Sequence, residues 1–510
     1  MRLARWFIVI VGGVLVTLWA IALAGSRTSV LHDKLVQTLS DKLHASVELD
    51  SFTVHTFPRL RISGDGLRIR LKDQQQPAPL ISVGHFEVAG GVVGLLRSQR
   101  HFRSVELVGL RITVPPRSKN DREAGNEAAQ TATGPVVIDR VDARDAALVL
   151  VPKNPEKDPR IFEIHNLTLQ SVGFNRSMPF TATLVNPVPR GDISVGGSFG
   201  PWRADEPGLT PLSGRYEFTH ADLSTIHGIG GILSSTGDFA GELMQIDVRG
   251  TTHTPDFTVD TAAHPVPLDT TFHAVVDGTN GDTYLKRIDA KFLGTSLTTS
   301  GAVTKAKGAK GRTVSLDVHL PDGRIEDVLA LAVRTEKPVM HGTIALDTSM
   351  VIPPGESKIA DRIELNGRFA LEQARFTDRL VQQQISTLSS RARGKDPKDG
   401  LARVLSGMHG TFTVRNGQAR FNPVAFDVPG ATVVLHGSYG LRTEQLAFDG
   451  TLTMDATVSQ ATGGVKGFFL KVVDPLFKRK GAGAVIPIHV KGTREKPQFG
   501  LDWKRALLRK

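Results

Sequence analysis

Apolar and polar residues alternate along most of the chain, and a period of two is typical of strands that turn one face away from water. In the first such run, Leu60, Ile62, Leu67 and Ile69 are interleaved with arginine and serine. Residues 64–66, Gly-Asp-Gly, are predicted to form a turn within this run. The pattern therefore predicts strands from about residue 60 onward.

The same alternation recurs in widely separated parts of the chain. A second run crosses Gly109, which is predicted to shift the alternating face as a bulge would. Beyond the first run, the apolar positions singled out by the pattern are Val105, Leu107, Leu110, Ile112, Val314, Leu316, Val318, Phe412 and Val414. One-faced alternation over so many strands predicts a sheet with one apolar and one polar side.

An internal echo supports a repeated strand–turn unit. Residues 291–301 (KFLGTSLTTSG) resemble residues 427–437 (DVPGATVVLHG), with a turn glycine and a second glycine seven residues later. Residues 190–197 are a looser third copy. Repeats of this kind predict strands that pair with their neighbours in sequence.

Three segments are predicted to be helical outside the membrane. Residues 28–45 carry leucines at i+4 spacing, and we favour a helix that covers the first edge of the sheet over one on a membrane surface. Thr377-Asp378 is predicted to cap a helix over 379–393. Residues 464–477 are both apolar and basic, and Pro475 is predicted to end that helix.

The N-terminus carries an uncharged stretch, residues 6–24, that would be about 28 Å long as a helix, enough to cross a bilayer. Arg2 and Arg5 precede it and are predicted to keep the N-terminus in the cytoplasm. Residues 22–24 also have the form of a signal-peptide cleavage site, but the stretch is longer than usual for one, so an uncleaved anchor is favoured. Both alternatives export the body.

These patterns predict six regions. They are an N-terminal tip and transmembrane anchor (1–27), an amphipathic helix with an N-terminal β region (28–116), a polar loop or linker (117–134), central β repeats (135–376), a helix with a breaker (377–400), and a C-terminal β region with a basic amphipathic segment (401–510).

Composition and charge exclude several classes of protein. The chain has no cysteine, which excludes disulfides and thiol chemistry and is compatible with a periplasm. Its net charge is +11, but twelve Lys and Arg against three acidic residues in 466–510 give +9 there. The long body is thus close to neutral and offers no basic face for phosphates, so nucleic-acid binding is not expected.

Catalytic and metal-binding chemistry is not expected either. His253, His264 and His273 lie near aspartates, but their spacing fits no zinc site. Residues 277–282 (DGTNGD) superficially resemble a calcium loop but lack the required Glu, so a hairpin turn is predicted. Zincin and P-loop motifs are absent from the sequence. We therefore predict a non-enzyme without cofactor or metal.

Four features resemble the AsmA family of bacterial envelope proteins, relatives of repeating β-groove, bridge-like lipid-transfer proteins. They are the anchor with its short helix, residues 57–62 (FPRLRI), residues 94–97 (GLLR) and residues 105–112 (VELVGLRI). The C-terminal third, with GTFTV at 410–414 and VVDPLFK at 472–478, also resembles that family. The resemblance covers most of the chain.

The resemblance implies a mainly β protein whose anchor is followed by an elongated, curled, taco-like antiparallel groove with a few short helices. It implies an inner-membrane location with the body in the periplasm, phospholipid carriage between the envelope membranes and support of outer-membrane integrity. The apolar residues of the alternating runs listed above would line the groove. At the C-terminal end, a membrane, or an outer-membrane or envelope protein, would be contacted by Phe468, Phe469, Phe477, Lys478, Arg479 and Lys480.

Two other functions remain open at this point. An open sheet end would equally suit a non-enzymatic scaffold or assembly factor for outer-membrane proteins or envelope partners. A polysaccharide-binding body is less favoured, because the chain has only four Trp and three Tyr to serve as aromatic platforms. A wide, open apolar face would favour lipid, and a closed, filled core would favour the scaffold.

Overall fold

The computed structural model describes most of the chain from residue 45 onward. The described residues are 36–37, 40, 45–55, 60–71, 79–90, 100–114, 136–152, 158–173, 175–203, 205–226, 228–259, 264–306, 311–332, 337–355, 357, 359–394, 404–456, 484–493 and 496–501. They form a mainly β protein with few helices, as the alternating pattern predicts. No helix within these ranges has the length and apolarity needed to cross a membrane.

The chain folds as two compact units. The N-terminal unit comprises 1–225, 233–251 and 275–281, and the C-terminal unit comprises 226–232, 252–274 and 282–510. The strands of the N-terminal unit are β1 (Ala45–Glu48), β2 (Ser51–His55), β3 (Leu60–Leu71), β4 (Ile81–Gly90), β5 (Arg100–Val108), β6 (Arg111–Val114), β7 (Val136–Leu150), β8 (Arg160–Val172), β9 (Met178–Pro187), β10 (Arg190–Phe199), β11 (Pro211–Asp222) and β13 (Ile232–Glu242), the last all but its first residue. Between β11 and β13 lies the short strand β12 (Ile229–Gly230), which pairs with β14 in the C-terminal unit.

The N-terminal sheet is mixed, which corrects the prediction of an antiparallel sheet. Strands β1 and β2 both pair antiparallel with β3, and β7 to β11 pair in sequence order. However, β5 and β6 pair in parallel with β7. A parallel pairing needs a crossover of a dozen or more residues, and 115–135 supply that length.

One line of residues switches the buried face across this sheet. The predicted turn at 64–66 is wrong, because β3 runs through it, with Gly66 at φ 66°. Further along the sheet the switch falls at Gly109, between β5 and β6, with φ 68°, and at Asp145 in β7, with φ 52°. Before Gly109 the buried Val105 and Leu107 lie two apart, whereas the next buried residue, Leu110, comes three after Leu107 and is followed by half-buried Ile112, so the predicted shift of face is confirmed.

Whereas the N-terminal unit holds two short 3-10 helices, Pro207–Leu209 and Leu223–Thr225, the C-terminal unit contains the remaining strands and three α-helices with described bounds. Its strands are β16 (Thr283–Phe292), β17 (Thr295–Thr304), β18 (Thr313–Arg324), β19 (Met340–Ile352), β20 (Glu364–Phe376), β21 (Ser406–Arg415), β22 (Gln418–Val428), β23 (Ala431–Gly440), β24 (Gln445–Met454), β25 (Ala484–Thr493) and β26 (Pro497–Leu501). Its helices are α1 (Ile325–Ala332), α2 (Ile359–Arg362) and α3 (Arg379–Ala392). Strands β14 (Gln245–Val259) and β15 (Val266–Val276) contribute residues to both units.

From β16 to β26 each strand pairs antiparallel with the next, as the repeat predicts. The two copies of the repeat are hairpins with turns at Leu293-Gly294 and Pro429-Gly430. Their second glycines sit where the next strand comes too close for a side chain. A Cβ would lie 2.0 Å from the carbonyl oxygen of Ser315 at Gly301, and 2.1 Å from that of Ala447 at Gly437. The repeat therefore encodes close strand approach as well as turns.

Helix α3 confirms the prediction made for 379–393. The Asp378 carboxylate accepts a hydrogen bond of 2.9 Å from the backbone N–H of Val381 and so caps the helix. Of the predicted 28–45 helix, residues 36, 37 and 40 are described as helical, and Val36 packs against the first buried cluster. Ala45 already belongs to β1, so the predicted helix is too long at its end.

Several predictions lie outside the described residues. These are the transmembrane stretch 6–24, the whole linker 117–134, and the amphipathic segment 464–477 with Phe468, Phe469, Phe477, Lys478, Arg479 and Lys480. They stay predictions.

Candidate functional site

The strand register of the C-terminal unit builds one long row of apolar side chains. Directly paired residues of antiparallel strands point to the same side of the sheet. One row across nine strands consists of Thr299, Val318, Thr348, Gly367, Phe412, Phe421, Gly437, Phe448 and Val490. We call the side of the C-terminal sheet that carries this row the apolar face.

Rows on either side widen the apolar face. One contains Gly301, Leu316, Met350, Leu365, Val414, Ala419, Tyr439 and Leu446. The other contains Leu320, Leu346, Phe369, Gly410, Val424, Leu435, Gly450 and Ile488. Together the three rows contain no charged residue.

Four phenylalanines form a chain of ring contacts on this face. Ring centroids lie 6.2 Å apart for Phe369 and Phe412, 6.5 Å for Phe412 and Phe421, and 5.8 Å for Phe421 and Phe448. All three pairs are tilted, as aromatic pairs prefer. Gly437 lies between Phe421 and Phe448 in the row, and its missing side chain makes room for the Phe448 ring.

The middle of the apolar face is only half-buried. Leu316, Val318, Phe412, Phe421 and Leu435 all keep part of their surface exposed. The buried clusters among the described residues of this unit lie instead at one end of the strands. One packs Leu320, Ile344 and Leu371 with side chains of α1, and the other packs Ala392 and Leu388 of α3 on β22 to β24.

The opposite side of the same strands is polar and ion-paired. The His319, Asp347 and Arg368 side chains form a chain of contacts across β18, β19 and β20, with 3.0 Å from Arg368 Nε to Asp347 Oδ2. The pKa of Asp347 is lowered, mainly by its hydrogen bond with His319 and next by its hydrogen bond with Arg368. These groups line a shallow depression of about 590 Å³. The alternation of apolar and polar residues along these strands thus places apolar side chains on one side of the sheet and charged ones on the other, as predicted.

The N-terminal predictions fall in a different environment. Ile62, Leu67, Ile69, Val105, Leu107 and Leu110 are all buried, between 1% and 8% exposed, in one packed cluster. Ile112 is half-buried and packs against that cluster, and Leu60 is the first residue of β3. These side chains are brought together as a filled core, which offers lipid little exposed surface.

The same side of the sheet continues onto β8 to β11 of this unit, but its apolar side chains are only half-buried there. Leu167 pairs with Ala182, Ala182 with Val195 and Val195 with Tyr216, which places the four on one side. All four are half-buried. Exposed Asn166, Thr183, Ser194 and Glu217 lie on the other side.

In the C-terminal unit, the predicted lining residues do share a side. Val314, Leu316, Val318 and Phe412 are half-buried there, and Val414 is buried. Sequence reasoning missed Phe369 and Phe421, because an isolated Phe in a strand gives no sign of its cross-strand neighbours. Knowledge of the strand register would have found them.

The weak chemical motifs have structural explanations. His253 Nδ1 lies 2.6 Å from Asp269 Oδ1 across strands, and the described residues contain no group of three potential metal ligands. Residues 277–282 form the predicted turn, in which Asp277 accepts the N–H of Thr279 at 2.8 Å. A G-x-S-x-G match at 196–200 lies almost wholly in extended β10, without the strand-to-helix turn of a hydrolase nucleophile.

Comparison with known proteins adds no assignment. No family model, no curated protein and no solved structure matches this chain.

Proposed function

We propose that the protein binds phospholipid acyl chains on its apolar face and carries lipid between the membranes of a bacterial envelope without catalysing a reaction. The observation that carries this proposal is the apolar face itself, which extends over consecutive strands and is half-exposed in its middle. Half-exposed apolar side chains in such an array are a typical sign of an interaction site.

The energetics favour acyl chains as the occupant. Moving a phospholipid through water exposes two chains at about 0.8 kcal/mol per CH₂, or roughly 25 kcal/mol for two sixteen-carbon chains. A continuous apolar surface removes most of that barrier. The headgroup stays in water, so no charge need be buried, which agrees with three rows free of charged residues.

The rest of the proposal follows from the sequence. Residues 6–24 would anchor the chain in the inner membrane, with the N-terminus in the cytoplasm and the body in the periplasm. Residues 464–477 and the basic residues after them would contact a membrane, or an outer-membrane or envelope protein. The resemblance to the AsmA family supports the same function and a curled groove.

The scaffold hypothesis retains one supporting observation. The apolar side of β1 to β7 is filled by a packed cluster, which offers lipid little exposed surface there. A scaffold would bind through sheet edges and would need no apolar face in β16 to β25. The half-exposed face therefore favours lipid, and the scaffold is the outcome if no lipid is found.

The experiment is mass spectrometry of lipids that co-purify with the full chain in mild detergent. We expect phospholipid in stoichiometric amount with the parent protein. A Phe412→Asp/Phe421→Asp chain should lose it, because a carboxylate among acyl chains is strongly unfavourable. The matched control is Thr411→Asp/Asn422→Asp, which adds the same charge at exposed neighbouring positions.

Equal lipid content in the parent and both variants would contradict binding on this face. If no lipid co-purifies with the parent protein or with either variant, lipid carriage is rejected and the scaffold hypothesis is favoured.

A further inference from the structure

Antiparallel pairing places alternate connections of the C-terminal sheet at the same end of its strands. One end carries the Leu293-Gly294 turn, α1 and α3. We call it the helix edge. The other end carries the turns at 416–417 and 441–444, together with α2, and we call it the hairpin edge.

Helix α3 runs along the helix edge across several strand ends. Near its start, Gln382 Oε1 accepts the backbone N–H of Phe376 at 2.9 Å and Gln382 Nε2 donates to the Val404 carbonyl at 2.9 Å. Near its end, Ser389 Oγ donates to the Pro429 carbonyl at 2.7 Å, and the Ala392 carbonyl accepts the N–H of Ala456 at 2.7 Å. Its 14 residues span about 21 Å, close to the 19 Å of four strand spacings.

The two sides of α3 differ in composition. Toward the sheet it turns Ser386, Ser389 and Ala392, which are buried and small enough for close approach. Toward solvent it turns Arg379, Val381, Gln383 and Arg391, all exposed. Neither Arg379 nor Arg391 makes an ion pair within the described part of the chain.

Exposed apolar side chains cluster around the start of α3. Val381 is 38% exposed, Val339 39% and Leu405 39%. They are neighbours, because the Val339 carbonyl accepts the N–H of Thr377 at 3.0 Å and Gln382 bonds to the residue before Leu405. Leu293, 42% exposed, lies at the same edge.

Apart from Arg324 and His341, five cationic and five acidic side chains lie around this patch, but three of the acidic ones are engaged in contacts within the fold. Lys337, Arg375 and Arg393 are exposed beside the arginines already named. The acidic groups are Glu372, Asp378, Glu326, Asp327 and Asp455. Of these, Asp378 caps α3, Glu326 bonds to Arg324 and His341, and Asp327 is buried and accepts from Gly294 and Thr295.

We propose that the helix edge is a docking surface for an anionic phospholipid membrane. The clustered Val and Leu side chains provide shallow apolar insertion beside Arg379 and Arg391, which make no ion pair with any described residue and would attract anionic headgroups. Docking through the helix edge would place the ends of all strands from β17 to β25 near the headgroups. The long side of the apolar face would then border the bilayer. The ends of the connection 457–483, at Ala456 and Ala484, lie at this same edge.

The test uses the absence of cysteine, which allows one label at a chosen position. The full chain, held in phosphatidylcholine nanodiscs, carries an environment-sensitive dye on Gln383→Cys at the helix edge or on Thr443→Cys at the hairpin edge. Vesicles with phosphatidylglycerol and brominated acyl chains are then added. We expect quenching of the dye on Gln383→Cys and none on Thr443→Cys.

Charge and apolar variants measure the contribution of each group. Arg379→Gln/Arg391→Gln should weaken vesicle binding about 25-fold, at about fivefold for each arginine. The matched control, Arg415→Gln/Arg442→Gln, removes two arginines from the hairpin edge and should change binding less than about twofold. Val381→Ser should weaken binding more than Leu441→Ser, although both side chains are 38% exposed.

Equal quenching at the two edges, equal binding to neutral and anionic vesicles, or no vesicle binding at all would overturn the proposal. Lipid carriage by the apolar face is tested separately by co-purified lipid. The two proposals can therefore fail independently.

Discussion

The strands β1 to β7 and the strands β16 to β25 share a sequence pattern but differ in how they bury their apolar side. In the first region Phe102, Val105 and Ile69 are 1–2% exposed within one cluster. In the second, Phe412, Phe421 and Val318 are half-buried. The difference teaches that alternation identifies which side is apolar, while the neighbouring strands decide whether that side is filled.

The physical reason lies in the local topology. In the first region β1 and β2 share one partner strand, β5 and β6 share β7, and the face switches along one line, so side chains converge from several directions. In the second region each strand pairs only with its sequence neighbours, and the described helices that close buried clusters lie at one strand end. A filled core thus needs converging strands, and sequential pairing leaves the middle of the face open.

The largest effect is expected from truncation in the filled region. Phe102→Ala should destabilise the protein by about 3–5 kcal/mol, because a buried phenylalanine leaves a cavity. Phe421→Ala should have no more than about half that effect, since its side chain is already half-exposed. Urea unfolding followed by circular dichroism, with hydrogen exchange to locate the change, measures both. Equal effects would contradict the distinction between filled and open faces.

Two adjacent glycines of β10 test whether close approach of the neighbouring strand requires glycine. A Cβ at Gly197 would lie 2.0 Å from the Ser213 carbonyl oxygen, whereas at Gly196 its nearest contact is 3.6 Å away. We expect Gly197→Ala to cost about 1–3 kcal/mol through overpacking and Gly196→Ala to be tolerated. The urea midpoints of the two variants provide the comparison, and a reversed order would refute the register of β10 with β11.

A charge on the apolar face should affect function more than folding. Leu316→Asp is expected to lower the amount of co-purified phospholipid at least about tenfold, or 1.4 kcal/mol. Asp317→Lys, one residue away on the polar side, should leave lipid content unchanged, because that side chain faces water. If both variants lose lipid equally while expressing normally, the sidedness of the face is not what binds lipid.

The smallest effect is expected on the polar side. The pKa of Asp347 lies below its ordinary value, so its contacts with His319 and Arg368 stabilise the fold above about pH 4 and are lost as the pH falls through the lowered value. Exposed pairs of this kind contribute little. Asp347→Asn should therefore leave the urea midpoint at pH 7 within measurement error. A large shift would assign these polar contacts a structural role.

Local patterns were predictable from the sequence. Helix α3 and its Asp378 cap, the hairpins of the repeat, and the sidedness of β18 all follow from periodicity and turn residues, because these depend on nearby residues alone. The parallel pairing of β5 with β7 was not predictable in this way, since a crossover leaves no local signal. The same holds for the ring contacts of Phe369 and Phe421, which depend on strand register.

The candidate site was predicted only in part for the same reason. A Val or Leu in an alternating strand has the same local sequence whether its side is filled or open. Val105 and Val318 were therefore grouped as lining residues, yet one lies in the packed cluster and the other on the half-exposed face. Burial is a property of the assembled sheet.

Site-specific crosslinking in living cells tests the central claim most directly. A photoreactive phenylalanine analogue is placed singly at Phe421 on the apolar face, at Asp317 on the polar side and at Phe102 in the filled cluster, and the irradiated full chain is analysed by mass spectrometry. We predict phospholipid adducts at Phe421 and none at Asp317 or Phe102. Adducts at all three positions, or at Phe102 but not at Phe421, would contradict lipid binding on the open apolar face.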